Sequence, residues 1–456
     1  MVEGVSMKPS PYLKQHIFKY LKGGIVKTLL SALFVGSFAL VPVICVGAVA
    51  MVDCTCPAEI SGGRVTIVAG KGIQENPAVA VDSRRGNYYT LWTQQEPNQV
   101  GGLPLEVMGR LLGSTGTPMS SVTTLDTQGG TYLAVAYTPA DDSFLALWFT
   151  GLFVQSPKGQ FIGHDGIPRG DPFDIPELTG VPLRMVHNDS SNEFAVLFTD
   201  RPRQSARVLL LRLNKNGKAV GKATVVNHSP ADNPNPDLAY NSAKSEYLVS
   251  WVGGSFGQPQ PIRYQILSAS LHLMGPNKTA SVGEVTAPLL AAFDPIAHRY
   301  ALMWNDNSGS QLRLVSEDGV ISSPVIDLPL AIVNKMAANP ETGGFVVLLF
   351  GDNDITMARL NSDGGVVDVG VPMACRVWPY FEGPLVYNAI ENEFLMTWTK
   401  IDKLFPIETT GDIFARRVKA ISTTGKCAKV ITVSFFHPEV SRLCSEAHSF
   451  VPGRFE

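Results

Sequence analysis

Charge is scarce in this sequence. Asp, Glu, Lys and Arg make up 17% of its 456 residues, and the net charge at pH 7 is −3. Without a basic surplus there is nothing to neutralise a run of phosphates, so nucleic acid is excluded as a partner. The short motifs of familiar chemistries are missing as well. There is no H-E-x-x-H, no G-x-S-x-G and no Walker loop, which removes the signatures of zinc peptidases, serine hydrolases and P-loop enzymes. His164, His187, His228, His272 and His298 are scattered without ligand spacing.

Cysteine is also sparse. Of the six, Cys45 lies in an apolar run, Cys54 and Cys56 come just after it, and Cys375, Cys427 and Cys444 lie in the last fifth of the chain. A C-x-C without a second close Cys or His pair is poor zinc spacing. Clustering at the two ends instead suits a disulfide from Cys54 or Cys56 to Cys427 or Cys444 in an oxidising compartment. Five cysteines outside the apolar run leave one over, and the pairing stays open.

What the chain has in quantity is Gly (42) and Pro (32), which suits short strands joined by many turns. One long uncharged stretch stands apart, Thr28 to Val52, preceded by Lys8, Lys14, Lys19, Lys22 and Lys27. As a helix it would span roughly 37 Å at about 1.5 Å per residue, enough to cross a bilayer. Basic residues before it hold that end in the cytoplasm and place the chain from Asp53 onward outside. Two readings stand: a signal peptide cleaved after Ala50, where Ala48 and Ala50 form an A-x-A site, or an uncleaved signal anchor. The expected location is extracytoplasmic in either case, secreted, periplasmic or held at the cell surface.

The rest of the chain repeats. A short apolar strand ends in a large residue at Trp92, Trp148, Phe198, Trp251, Trp304, Phe350 and Trp398, at spacings from 46 (Trp304 to Phe350) to 56 residues (Trp92 to Trp148). Five of the six tryptophans fall on this position. A second aromatic precedes it by four residues at Tyr88, Phe144, Phe194, Tyr247, Tyr300 and Phe394, with Val346 the exception. Before each such strand runs another, closing in a turn that begins with Asp82, Asp189, Asn241, Asp294, Asn339 or Asn388, residues that bond their own backbone in tight turns. A third strand and a fourth come next, separated by a turn glycine at Gly116, Gly159, Gly217, Gly275, Gly319, Gly364 and Gly425. Four antiparallel strands in ~50 residues make one blade of a β-propeller.

The predicted fold is therefore all-β: a seven-bladed β-propeller of four-stranded antiparallel blades, after an N-terminal hydrophobic helix. Expected bounds are 1–53 for the basic region and hydrophobic segment, 54–62 for a linker, 63–435 for the propeller and 436–456 for a tail. Arg64 to Val68 matches a fourth strand placed ahead of the first blade and is the expected fastener of the ring; Lys429 to Ser434 is the competing candidate. The register aromatics belong to blade packing.

The P-x-[VL]-A-[YVF]-[DN] strand followed by [YF]-[LVA]-x-x-W resembles a broad group of secreted bacterial propeller proteins with blades of this size. The resemblance covers the chain after residue 62 and implies the fold, not a function. SEDG at 316–319 and SDGG at 362–365 resemble the sialidase Asp-box but lack its following aromatic and read as plain turns.

Binding is expected on the face that carries the variable loops. Asp200, Asp306 and Asp352 each lie two residues after the repeat aromatic. Carboxylates spaced round a ring would hold calcium or sugar hydroxyls, or serve simply as loop-start aspartates. Trp378, with Tyr380 and Phe381, stands outside the register and would stack on a sugar or anchor a partner. Otherwise it packs near Cys375. The expected function is a non-enzymatic module for a protein or glycan ligand, monomeric, and tied to the membrane if the N-terminal segment is uncleaved. The rival is an extracellular polysaccharide hydrolase or lyase. No catalytic residue, resident metal or cofactor is assigned.

Overall fold

The computed structural model describes residues 59–70, 72–95, 105–150, 156–200, 206–227, 231, 234–255, 258–283, 285, 288–330, 332–350, 354–375, 382–401 and 411–419. The hydrophobic segment, Lys429 to Ser434, the tail, and Cys54, Cys56, Cys427 and Cys444 lie outside them. The described chain is all strand and connection, with no helix. It opens with β1 (Glu59–Val68), β2 (Ile73–Val81), β3 (Tyr88–Gln95), β4 (Glu106–Leu112) and β5 (Thr123–Asp126). Next come β6 (Thr131–Thr138), β7 (Ser143–Thr150), β8 (Ser156–Gly163) and β9 (Pro168–Asp174). A third group is β10 (Val181–Asn188), β11 (Glu193–Asp200), β12 (Arg207–Asn214) and β13 (Thr224–Val225). A fourth is β14 (Asp237–Asn241), β15 (Glu246–Val252), β16 (Gln260–Leu267) and β17 (Lys278–Gly283). A fifth is β18 (Leu290–Asp294), β19 (Arg299–Asp306), β20 (Gly309–Ser316) and β21 (Ile326–Leu328), and a sixth is β22 (Ile332–Ala338), β23 (Phe345–Phe350), β24 (Asp354–Leu360) and β25 (Val366–Cys375). The last are β26 (Glu382–Asn388), β27 (Glu393–Ile401) and β28 (Gly411–Lys419).

Five groups form four-stranded antiparallel sheets, and the remaining strands form one sheet of eight. In the latter a single parallel bridge, Ile73↔Gly411, joins β2 to β28. The second strand of each group is apolar on both faces; β7 is buried at every residue. Such a strand must be covered on both sides, and neighbouring groups provide the cover. Trp148 and Phe144 pack against Tyr89 and Leu91 of the preceding group, and Tyr247 and Trp251 against Ala195 and Leu197. The fourth strands face water, as the exposed middle of β9 shows. First strands touch in succession from β2 through β6, β10, β14, β18 and β22 to β26, and β26 touches β2. This is the arrangement of a β-propeller.

The hairpin between first and second strands sets the register of each group. Its opening residue is a buried Asp, Asn or Thr: Asp82, Thr138, Asn188, Asn241, Asp294, Asn339 and Asn388. In the third group this is Asn188 rather than Asp189, whose side chain points to solvent. Asn388 Oδ1 accepts the Ile390 N–H at 3.0 Å, while its amide donates to the Tyr88 hydroxyl of the next group at 2.8 Å. Asn188 donates to the Tyr247 hydroxyl at 3.0 Å, and Asp294 accepts from the Gly344 N–H and the Ser362 hydroxyl, both at 2.6 Å. Asn388, Asn188 and Asp294 each close their own turn and latch the next sheet. Burial pushes the Tyr88 and Tyr247 hydroxyls up to about 12, outweighing the asparagine amides that favour the phenolate.

The sixth group departs from the sequence-based expectation by one residue. Counting from Asn339, the place of the second aromatic is Phe345, not Val346, and the place of the repeat aromatic is Leu349. Phe345 and Leu349 face the fifth group, as the register aromatics of other groups face their predecessors, whereas Phe350 points the other way, toward Phe394 and Trp398. The hairpin keeps the count of the other groups and turns on a Gly343–Gly344 pair. Both have positive φ (76° and 78°), and a Cβ on Gly344 would lie 2.2 Å from the Leu360 carbonyl oxygen. Two turn glycines also move. Gly159 is inside β8, and the left-handed residue of that turn is Gly166 (φ 82°); in the fourth group it is Leu271 (φ 62°), before Gly275.

β1 pairs antiparallel with β28, beyond which no other strand is described, so the first strand of the chain completes the last group. It begins at Glu59, inside the span expected to be linker. Ile67 is buried with Trp92 and Leu395, Arg64 lies over the Phe414 ring at 4.3 Å, and Ser61 donates to Glu393 at 2.5 Å.

Asn388→Ala is expected to cost about 2–4 kcal/mol in urea unfolding, because it strands the Tyr88 hydroxyl and the turn amides in a buried site. The half-buried Asn214 caps a turn at 2.9 Å but reaches no other sheet, and Asn214→Ala should cost about 1 kcal/mol or less. Equal costs would refute the latch.

Candidate functional site

The innermost strands leave one edge unpaired toward the axis, and prolines suit such an edge because they bring no stranded N–H. Pro182 and Pro384 stand near the beginnings of β10 and β26, Pro236 and Pro288 just before β14 and β18, and Pro77 inside β2 at its bulge. β-Bulges accompany them, in β2 at Glu75/Ala78, in β6 at Thr131/Ala134 and in β22 at Val333/Lys335. A bulge bends a strand and re-aims its side chains. Together the first halves of the inner strands enclose a central cavity of about 970 Å³.

One repeat position lines this cavity throughout: the residue four before the hairpin opener. It is small or apolar in four groups (Ala78, Ala134, Leu290 and Pro384) and charged in three, as Arg184, Asp237 and Lys335. Arg184 NH1 lies 2.7 Å from Asp237 Oδ1, across the boundary between β10 and β14. Asp237 Oδ2 accepts the Ala291 N–H of β18 at 2.8 Å, so both of its oxygens are engaged and it ties three successive groups together. The Arg184 side chain remains 42% exposed.

Tyr132 is the aromatic of the cavity wall. It is 49% exposed and adopts φ 52° at the β6 bulge. A bulky residue in the left-handed region costs about 1–3 kcal/mol, and such strain gathers at functional sites. Its sequence string, TYLAVAYTP, gives no hint of this exposure, since alternation alone puts a tyrosine there in either orientation. Arg184, Asp237 and Lys335 were legible in principle, as charges interrupting otherwise apolar strands at one shared repeat position.

Of the ligand residues expected from sequence, the structure describes Asp200 and Asp306. Asp200 is buried, with Arg207 Nε at 2.8 Å from Oδ1 and NH2 at 2.5 Å from Oδ2, and Thr179 donates at 3.3 Å. An aspartate so engaged has little left for calcium or a sugar. Asp306 caps its own turn, accepting from the Ser308 N–H at 2.7 Å, the Ser308 hydroxyl at 2.6 Å and the Gly309 N–H at 3.1 Å. Burial pulls its pKa upward, but these donors outweigh it and hold the carboxyl below its ordinary value. Neither residue lines the cavity. Asp352, Trp378, Tyr380 and Phe381 lie outside the described residues; Cys375 ends β25, its backbone opposite Asp354. Trp92, Trp148, Trp251, Trp304, Trp398 and Phe198 are buried. Among the described residues no three His, Cys, Asp or Glu side chains gather as metal ligands.

A second polar cluster lies at the hairpin ends. Arg85 grips Asp142 at 2.7 and 2.8 Å, Tyr137 donates to Asp142 at 2.6 Å, and His164 Nδ1 is 3.2 Å away. The guanidinium is the main cause holding the Asp142 carboxyl well below the usual range. The cluster joins the first two groups and is accounted for by that.

No protein-family model matches the chain, and no curated protein sequence does either. Solved structures resemble it in fold. The β-propeller domain of the Trilobed protease from Pyrococcus furiosus, described as having an open velcro topology, is 7% identical with a TM-score of 0.47, covering 76% of this chain and 95% of that one. Kuenenia stuttgartiensis hydrazine synthase gives 10% and 0.48, covering 73% and 94%. A glucose dehydrogenase gives 11% and 0.43, covering 62% and 95%. No residue's role carries over at such identities.

If Arg184 is a ligand group and not a strut, Arg184→Lys, which keeps a positive charge beside the buried Asp237 carboxylate, should change stability by no more than about 1 kcal/mol. Asp237→Ala should cost about 1–3 kcal/mol, because it strands the buried Ala291 N–H. Denaturant midpoints of the two variants test this, and comparable losses would make Arg184 structural.

Proposed function

We propose that this chain is an extracytoplasmic, seven-bladed β-propeller that binds a glycan without chemically altering it, at the mouth of its central channel. The count of seven takes the eight-stranded sheet as two blades meeting at the Ile73↔Gly411 bridge, with β1 as the fourth strand of the last. Export is supported by the apolar run from Thr28 to Val52 behind its five lysines.

The observation that carries the binding reading is Tyr132, a half-exposed aromatic held in a strained backbone on a channel wall with Arg184 and Lys335. An aromatic face with a few fixed polar groups is how concave sites hold sugar rings. The recessed wall favours an oligosaccharide over the broad surface of a globular partner. Glycoside hydrolysis ordinarily needs two carboxyls roughly 5–10 Å apart. Among the described residues the channel wall has one, Asp237, and its oxygens are engaged by Arg184 and Ala291. That favours binding over hydrolysis.

A glycan array probed with the purified protein and with Tyr132→Ala tests the reading. Retention of specific glycans by the wild type, with at least ten-fold weaker signal for the variant, is expected. Absence of any glycan signal, unchanged signal in the variant, or release of shortened products overturns it.

A further inference from the structure

We propose that the ligand of the channel is an acidic saccharide, bound through a carboxylate by Arg184. This rests on the glycan reading above and adds the charge class of the ligand. Three charged side chains line the wall among the described residues, Arg184, Lys335 and Asp237, and Asp237 is taken up by Arg184 and the Ala291 N–H. In an inner strand of this fold the same position takes Ala78, Ala134, Leu290 or Pro384 in other groups, so packing does not call for charge there.

The geometry of Arg184 sharpens the case. Its guanidinium meets Asp237 through NH1 alone, at 2.7 Å. The Nε–NH2 edge makes no hydrogen bond to any described residue and belongs to a side chain 42% exposed in the cavity. That edge is the one that presents two parallel N–H groups to a carboxylate. Asp237 is fixed from behind by the Ala291 N–H at 2.8 Å, so it orients the guanidinium and is not itself open to a ligand. Lys335 adds a second positive charge to the wall at the same repeat position, and Tyr132 provides a ring face. A guanidinium edge, an ammonium and an aromatic face suit a pyranose bearing a carboxylate. A neutral sugar would offer the Nε–NH2 edge of Arg184 no anionic acceptor.

The test is titration calorimetry of the full-length protein in detergent with a uronic-acid oligosaccharide and with the same oligosaccharide after reduction of its carboxyl groups. The acidic form should bind at least ten-fold more tightly at low salt, with the difference shrinking as salt rises. In Arg184→Gln the acidic preference should fall to within about two-fold; thermal unfolding of the variant checks that it is folded. Equal binding of both forms by the wild type overturns the acidic assignment and leaves the glycan reading standing. Undiminished preference in Arg184→Gln overturns the role of Arg184. Binding of neither form by the wild type overturns both.

Discussion

The structure depends on a sheet that is apolar on both faces and cannot stand alone. Leu145, Leu147, Phe144 and Trp148 are all buried, alternating between the two sides of one strand. A four-stranded unit of this size exposes too much apolar surface to persist by itself. Each unit therefore needs two neighbours, and only a closed succession gives every unit both. Hydrophobic contact is indifferent to angle and register. The buried Asp and Asn residues at the hairpins add direction, because a side chain bonded to its own turn and to the next sheet fits one juxtaposition only.

Closure then falls to the ends of the described chain. β28 would be left with an open edge, and an open edge invites pairing with another chain. β1 covers it, although 342 residues separate Gly70 from the Asp412 carboxylate that its N–H meets. The same strand buries Ile67 beside Trp92, so the seam is sealed both by backbone pairing and by apolar contact. A strand borrowed from the beginning of the chain makes the ring cooperative: the last unit is incomplete until the first is in place.

Much of this was legible from residue order because one pattern recurs with its aromatics, hairpin openers and glycines in step. The fastening strand could be read as well, since Arg64 to Val68 matches other fourth strands. Legibility failed where a backbone device replaced a side-chain cue. In the sixth group the register falls on Phe345 and Leu349, and Phe350, one residue beyond, mimics a register aromatic while facing the opposite way. Leu271 takes a left-handed conformation usually given to glycine, which hid the turn before Gly275. The cavity was the largest omission. Aspartates two residues beyond three of the repeat aromatics look like part of a ring of ligands, but Asp200 is consumed by Arg207 and Asp306 by its own turn. Charges inside the inner strands do not stand out in the sequence, because a departure from apolar character there gains meaning only once the strands share an axis.

The cavity and the seam are two results of one arrangement: inner strands brought edge-on to a common axis leave a channel, and the ring that surrounds it must be fastened. Native-state amide hydrogen exchange across Ile60 to Val68 tests that fastening most directly. The account predicts that these amides exchange only with global unfolding, as slowly as those of β27 and β28. Exchange of β1 at the rate of an unpaired strand, with β27 and β28 still protected, would contradict it.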